Sequence, residues 1–424
     1  MKRPQNILEK IISLHTKETF KTGDFLLVDV DFTLANDITA PVSIKEFYKY
    51  KFKRVFNKDK IALIPDHFTP SKDIKSAENV KLMREFAKKF NITHFYEPQK
   101  CGIEHVFLPE KGLVLPSQIV IGADSHTCTY GALGSFAFGV GSTDIVFSWV
   151  TGKIWIKVPP VIKIIYQGKL KKFVTSKDVI LFTLKKLSDK ANYKVLEFTG
   201  TVIERMSQSQ RFTLSNMATE AGAKTGLINP DKITLDFLKS IGKLNKKIEK
   251  ISYMIRSDLK AEYEEIYEWD LSKLNPQVAV PFLPSNVKDV DKVKVNVDQV
   301  VIGSCTNGRL EDLMQAAQIF KKRKVNSRVR CLIFPGSPKV LLEAEKLGLI
   351  EIFLKAECVI CPPTCGPCLG GHLGVLAEGE VCAATTNRNF IGRMGHKNSK
   401  VYLVNPYVAA ASAVKGKITH PESI

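Results

Sequence analysis

Two cysteine-containing turns, far apart in the chain, place the strongest constraint on how this sequence can fold. The first is Gly303–Arg309 (GSCTNGR) and the second is Pro362–Cys368 (PPTCGPC). Cys305 follows an apolar run at the end of a predicted strand, whereas Cys365 and Cys368 flank a rigid Gly-Pro corner. One distant and two local thiols suit a metal cluster that leaves one coordination position unfilled, as catalytic metal sites do. The fold must therefore bring the two turns together.

Apolar strand patterns alternate with helical patterns along most of the chain. Strands are predicted at 24–31, 61–65 and 118–122, and a helix with one apolar face is predicted over 79–90. This alternation predicts an α/β fold with mainly parallel sheets. A double proline at 159–160 and a polar, proline-containing stretch at 255–290 indicate boundaries. We expect three α/β domains, at 1–158, at 159–290 with a polar linker at its end, and at 291–424.

Seven of the nine cysteines are crowded into the last third of the chain, and Cys101 and Cys128 are isolated, a pattern that favours metal binding or catalysis over disulfides. Cys358, Cys361, Cys365 and Cys368 have the spacing of a four-cysteine zinc or iron–sulfur site, and Cys365 with Cys368 alone would suit a redox pair. Cys305 favours the three-cysteine cluster, because its small neighbours let the backbone approach a bulky inorganic core. The others are expected to be ordinary core residues: Cys101, Cys128, Cys331 and Cys382.

Composition limits the remaining classes of protein. The chain has 424 residues, 44% of them hydrophobic, and a formal net charge of +19. It has no apolar run of about eighteen residues, and charges interrupt its first predicted helix, so we expect a cytoplasmic protein without a membrane span or signal peptide. The lysines are scattered among acidic residues, which favours a solvated basic surface. An acidic partner subunit is the next expectation, and no nucleic-acid-binding motif is present.

Three elements pair a histidine with a carboxylate. They are Asp66–His67 after the strand at 61–65, Glu104–His105, and Asp124–Ser125–His126 after the strand at 118–122. Taken singly, the first two also fit a surface loop. Because carboxylates can tune histidines as proton donors near neutral pH, three such elements predict one convergent cleft.

Two further patterns are less specific. Asn216 and Glu220 lie four residues apart on a predicted helix and share a face, which fits a solvated surface as well as a site. Gly139–Val140–Gly141 lacks the third glycine of a dinucleotide-binding loop, so no such site is expected.

The motifs at 303–309, at 362–368 and at 385–396 (TTNRNFIGRMGH) resemble those of the aconitase family, and the resemblance covers nearly the whole chain. It implies three α/β domains around a central iron–sulfur cleft, without the swivelling fourth domain of single-chain members. It also implies that Cys305, Cys365 and Cys368 hold a [4Fe-4S] cluster with one iron not ligated by the protein. Cys361 stands where similar proteins usually carry serine or threonine.

The resemblance implies roles for the polar residues. The catalytic set is Asp66, His67, His105, Asp124, His126 and Glu220, and the substrate-binding set is Asn36, Ser125, Asn216, Asn387, Arg388 and Arg393. His67, supported by Asp66, is the expected proton donor. Arg388 and Arg393 are expected to hold a carboxylate through charge-assisted hydrogen bonds.

The implied function is a hydro-lyase that converts 2-isopropylmalate to 3-isopropylmalate by dehydration and rehydration, in leucine biosynthesis. The alternative substrates are homocitrate and homoisocitrate of lysine biosynthesis, and the non-enzymatic alternative is an RNA-binding regulator that lacks the cluster. Because the sequence ends at Ile424, we expect a separate small subunit to supply the fourth domain, with a base serine and further arginines, in a hetero-oligomer.

Overall fold

The computed structural model describes residues 3–424. The strands are β1 (Phe25–Asp29), β2 (Phe32–Asn36), β3 (Ile61–Ile64), β4 (His94–Phe95), β5 (Ile119–Gly122), β6 (Phe136–Gly139), β7 (Lys153–Lys157), β8 (Val161–Gln167), β9 (Val195–Thr199), β10 (Thr225–Ile228), β11 (Glu265–Asp270), β12 (Gln277–Ala279), β13 (Val287–Asp289), β14 (Gln299–Gly303), β15 (Arg330–Phe334), β16 (Val359–Ile360), β17 (Val381–Ala384) and β18 (Lys400–Leu403). The helices are α1 (Ile7–Ser13), α2 (Ala40–Lys49), α3 (Ile74–Phe90), α4 (Glu104–Glu110), α5 (Ser142–Thr151), α6 (Ser176–Leu187), α7 (Thr201–Arg205), α8 (Gln208–Asn216), α9 (Lys232–Ser240), α10 (Lys246–Met254), α11 (Ser304–Asn307), α12 (Leu310–Phe320), α13 (Pro338–Lys346), α14 (Leu349–Lys355) and α15 (Pro406–Lys415).

Three parallel or mainly parallel sheets organise the chain. The first has the order β4-β3-β2-β5-β6 and is parallel throughout. The second, β10-β9-β8-β11, is also parallel. The third has the order β13-β12-β18-β17-β14-β15-β16, in which only β12 makes antiparallel pairs. The predicted α/β class with mainly parallel sheets is confirmed.

The strands of the first sheet are apolar because both of their faces are buried. All residues of β2, β3 and β5 are buried, and so the sequence of each strand is nearly continuous in hydrophobic residues rather than alternating. Helix α1 packs into the same core, with Ile7, Leu8, Ile11 and Ile12 fully buried, whereas Leu14, which continues the same apolar spacing, follows the helix and is exposed. Within residues 3–424, no helix is long and apolar enough to cross a membrane.

The stretch 255–290, expected to be a polar linker, forms strands. It contains β11, which pairs with β8 at the edge of the second sheet, and β12 and β13, which belong to the third sheet. The polar linker at the end of the second domain stays a prediction, and the polar composition of β11 follows from its edge position, where alternate side chains are exposed. In β11, half-buried Trp269 packs against the ring of Tyr166, while Ile266, Glu268 and Asp270 are exposed. The three domain boundaries remain predictions.

Candidate active site

Side chains from the carboxyl ends of the first and third sheets line one cavity of about 190 Å³. Open α/β sheets gather their ligands at this edge. The cavity is lined by most of the predicted site residues: Asn36, Asp66, His67, His105, Asp124, His126, Cys305, Cys365, Cys368, Asn387, Arg388 and Arg393. The other three, Ser125, Asn216 and Glu220, hydrogen-bond to members of this set.

A larger cavity, of about 710 Å³, is lined mainly by apolar side chains such as Leu341, Ile350 and Pro362. It offers few groups that could donate or accept a proton. The smaller, polar cavity, where histidines, carboxylates and thiols converge, is therefore the candidate active site.

Two carboxylates, Asp66 and Asp37, hold His67 in place. Its Nδ1 lies 2.6 Å from Asp66 Oδ1, so this nitrogen donates to the carboxylate and Nε2 is left on the side of Asp124, 3.7 Å from Oδ2. The loop is fixed by Asp37, which is fully buried and accepts hydrogen bonds from the backbone amides of Asp66, His67 and Phe68. Burial opposes a charge on His67, but Cys365 and Asp66 hold its pKa well above the usual value. This imidazole is therefore suited to carry a proton into the cavity.

Asp124 is the shared acceptor for the other histidines. His105 Nε2 lies 3.0 Å from its Oδ1, and the backbone amide of His126 donates to the same oxygen at 2.7 Å. Burial opposes the ionised form, but hydrogen bonds from His105 and His126 hold the pKa of Asp124 well below its usual value. Burial also lowers the pKa of His105, and its Nδ1 lies 3.1 Å from the Tyr130 hydroxyl, which donates to the backbone carbonyl of Glu104 at 3.4 Å.

Arg388 and Glu220 form the opposite side of this network. The Arg388 Nε donates to both Glu220 oxygens at 2.9 and 3.0 Å, and Nη2 donates to Ser125 Oγ at 2.9 Å. Glu220 also accepts from His126 Nε2 at 2.9 Å. Burial opposes the charge of Glu220, but His126 and Arg388 lower its pKa. The predicted helix face is here made by two elements, because α8 ends at Asn216 and a 3-10 turn, Met217–Ala221, carries Glu220.

Cys305 lies in the first turn of the short helix α11, directly after β14. Gly303 has φ +137°, and a Cβ at this position would lie 2.1 Å from the carbonyl oxygen of Phe334. Ser304 also has a positive φ, of 69°, which is uncommon for a residue with a side chain. The turn therefore fixes the direction of the Cys305 thiol rather than leaving it free.

Two buried amides point at the Cys305 sulfur. Asn216 Nδ2 lies 3.4 Å and Asn387 Nδ2 lies 3.3 Å from Sγ. Asn387 Oδ1 lies 3.6 Å from the sulfur of Cys368, and Arg393 Nη2 lies 4.0 Å from that same sulfur. N–H groups directed at sulfur stabilise the thiolate form, which is the form that binds metal.

Comparison with known proteins identifies the family. The model of the aconitase family (aconitate hydratase) matches residues 9–416. The chain belongs to the aconitase family. It is 56% identical to the 3-isopropylmalate dehydratase large subunit of Thermodesulfovibrio yellowstonii, over 99% of this chain and 99% of that protein. It is 53% identical to the protein of the same name from Caldicellulosiruptor saccharolyticus, over 100% and 98% of the two chains, and 54% identical to large subunit 1 from Pyrococcus furiosus, over 99% and 98%.

Membership of the aconitase family implies a [4Fe-4S] cluster, and the residues of this chain fit one. The three thiols line the same cavity as the histidines, and their sulfurs do not all lie within 4.8 Å of one another, as the ligand atoms of a single ion would. Burial raises the pKa of the Cys305 thiol to about 12, so bound metal is needed to keep it as a thiolate. The donor set is thus suited to a cluster of several atoms.

The rival four-cysteine site is not assembled. Among residues 3–424, the two compact groups of possible metal ligands are Asp66–His67–Cys365 and Glu104–His105–Asp124, and neither includes Cys358 or Cys361. Cys358 instead lies beside Cys331 in the core of the third sheet. Cys101, Cys128, Cys331 and Cys382 are buried, as expected for core residues.

Some residues that support the site were not among the predicted site residues. Asp37 fixes the His67 loop, Tyr130 contacts the Nδ1 of His105, and Lys177 donates to the backbone that carries Asn387. Burial lowers the pKa of Lys177 to about 7, while Asp312, Cys305 and Cys368 act in the opposite direction. These polar residues are buried by elements that are distant in the chain, so their burial can be seen only in the folded structure.

The Arg388 side chain gives a first prediction. Arg388→Lys keeps the charge but loses the planar fork that reaches both Glu220 and Ser125. We expect kcat/KM of the enzyme reconstituted with its cluster to fall by about 10- to 100-fold, which corresponds to the loss of one charge-assisted hydrogen bond. Steady-state kinetics measure it, and Arg205→Lys, on the exposed end of α7, is the matched control. Equal kcat/KM values for the two variants would show that Arg388 does not contribute to the activity.

Proposed function

We propose that this chain is the large, cluster-binding subunit of a 3-isopropylmalate dehydratase. It moves the hydroxyl group of 2-isopropylmalate to the neighbouring carbon by dehydration and rehydration. The observation that carries the proposal is one cavity in which three cysteines meet a histidine–aspartate pair and two arginines. The names of relatives that match the whole chain support the choice of substrate.

Cys305, Cys365 and Cys368 are the residues that would hold the cluster, with one iron not ligated by the protein. When bound, the cluster supplies a Lewis acid for the leaving hydroxyl group. The amides of Asn216 and Asn387 keep the Cys305 sulfur in place.

His67 is the proposed proton donor to the leaving hydroxyl group. Asp66 holds Nδ1, so that the proton on Nε2 is the one that can be transferred. The raised pKa of His67 favours the protonated imidazole, and the proton is returned in the rehydration step.

Four neighbouring residues determine the electrostatic environment of that proton: Asp124, His105, His126 and Glu220. Asp124 and Glu220 remain ionised, because each accepts hydrogen bonds from a histidine, and Glu220 also from Arg388. Arg388 and Arg393 are the proposed partners of a substrate carboxylate. The Nε of Arg393 is buried without a hydrogen-bond partner among the described residues, so this arginine has donor capacity left for a ligand.

The relatives are named as large subunits, and we propose a small subunit as the partner of this chain. The proposed partner supplies the base that removes the carbon-bound proton. A second prediction follows from this. The chain with its cluster restored is expected to show little turnover alone, and to gain turnover when a 3-isopropylmalate dehydratase small subunit is added.

The test measures product formation from 2-isopropylmalate and from homocitrate, with and without the small subunit. Activity on 2-isopropylmalate that depends on both subunits supports the proposal. Full turnover by the large subunit alone would contradict the role of the partner, and preference for homocitrate would contradict the substrate.

A further inference from the structure

The Lys177 ammonium group is buried between the two loops that carry much of the site. The side chain is 0% exposed. Its Nζ donates to the backbone carbonyl of Thr385 at 2.8 Å and to that of Thr386, directly before Asn387 and Arg388. On the other side, it lies 3.4 Å from Asn307 Oδ1, in the loop of Cys305. One cation therefore joins the loop of the arginine to the loop of the cysteine.

The hydrogen-bond partners of this cation are uncharged oxygens. The nearby carboxylates are directed elsewhere: Asp178 accepts from the backbone amide of Gln277, and Asp312 accepts from Asn307 and from the amide of Arg309. A buried charge without an opposite charge is unfavourable, because the protein interior solvates it less well than water does. Something negative in the complete site should offset it.

The thiols of the site are groups near Lys177 that can become negative. Asn307, which Lys177 contacts, lies two residues after Cys305. Asn387, which follows the Thr386 carbonyl bound by Lys177, lies 3.3 Å from the Cys305 sulfur and 3.6 Å from the Cys368 sulfur. A thiol that coordinates metal is deprotonated, so both sulfurs become anionic when the cluster is bound. The cluster and its thiolates would then supply the negative charge that offsets the charge of Lys177.

We propose that Lys177 is the buried counter-charge of the cluster and a positioning residue for Asn387 and Arg388. This inference rests on the proposed function, since it needs the cluster to be held by Cys305, Cys365 and Cys368. The charge stabilises the more negative, reduced state of the cluster over the oxidised state. Net charge around a cluster is one of the factors that set its reduction potential.

The test compares Lys177→Met, which removes charge and donors, with Lys177→Gln, which removes the charge but keeps an N–H donor. Lys224→Met is the matched control, because Lys224 is half-buried but lies over the rings of Phe138 and Tyr193. Circular dichroism checks the fold of each protein without cluster. Iron and sulfide content and a redox titration are then measured after reconstitution.

In both Lys177 variants, we expect the ratio of reduced to oxidised cluster at a fixed potential to fall by about tenfold, as for the loss of one nearby charge. We expect Lys224→Met to match the unmodified chain. An unchanged potential in Lys177→Met, or a potential fully restored by Lys177→Gln, would overturn the counter-charge role. If the unmodified chain took up no iron, the proposed function itself would fail, which is a distinguishable result.

Discussion

Cys305→Ser is expected to leave a folded chain that no longer acquires the visible absorbance of an iron–sulfur cluster on reconstitution. Cys305 is the one thiol of the site that comes from the β14 turn, and two buried amides are directed at its sulfur. A serine oxygen is a poor replacement for a soft thiolate ligand of iron. The measurement is the absorbance and iron content per chain after anaerobic reconstitution.

Cys358→Ser is the matched control, because Cys358 is also buried and lies in the same core cluster. We expect it to keep the absorbance, since Cys358 does not line the cavity. The opposite result, with absorbance lost in Cys358→Ser and kept in Cys305→Ser, would favour the local four-cysteine site.

His67→Ala is expected to lower kcat of the reconstituted two-subunit enzyme by about 10²–10⁴-fold, the usual worth of a positioned proton donor. The reason is geometric: Asp66 fixes one ring nitrogen at 2.6 Å, and the other nitrogen is left on the cavity side. Steady-state kinetics with 2-isopropylmalate measure the effect.

His67 also lies near Cys365, so cluster content must be measured in the same preparations. His420→Ala, near the carboxyl terminus, serves as the control for loss of a histidine elsewhere. An unchanged kcat in His67→Ala with a full cluster would exclude His67 as the proton donor.

The local sequence pattern was sufficient to predict strands whose carboxyl ends lie at the site. The strands β3 and β5 are continuous apolar runs, and such runs can be placed without knowing their neighbours. The alternation with helices then predicts parallel sheets, which gather their carboxyl ends at one edge. The convergence of Asp66, Asp124 and Cys305 on one cavity agrees with that expectation.

The local sequence pattern did not predict burial or strand pairing that depends on residues distant in the chain. The polar segment 255–290 contains strands because β8 and β18 offer edges for pairing. Asp37 and Lys177 are polar residues that any local reading would place at the surface, yet both are fully buried. Their hydrogen bonds reach residues far away in the chain, and no spacing rule connects them.

The sequence by itself determined the α/β class and the family, because short motifs identify the family and apolar runs form the strands; that Cys305, Cys365 and Cys368 hold a cluster stays a prediction. Only the tertiary structure decided which charges face one another, such as Arg388 with Glu220 and Lys177 with the loop of Cys305. The physical reason is that a charge is stabilised or destabilised by whatever surrounds it in three dimensions, and those neighbours come from separate sheets.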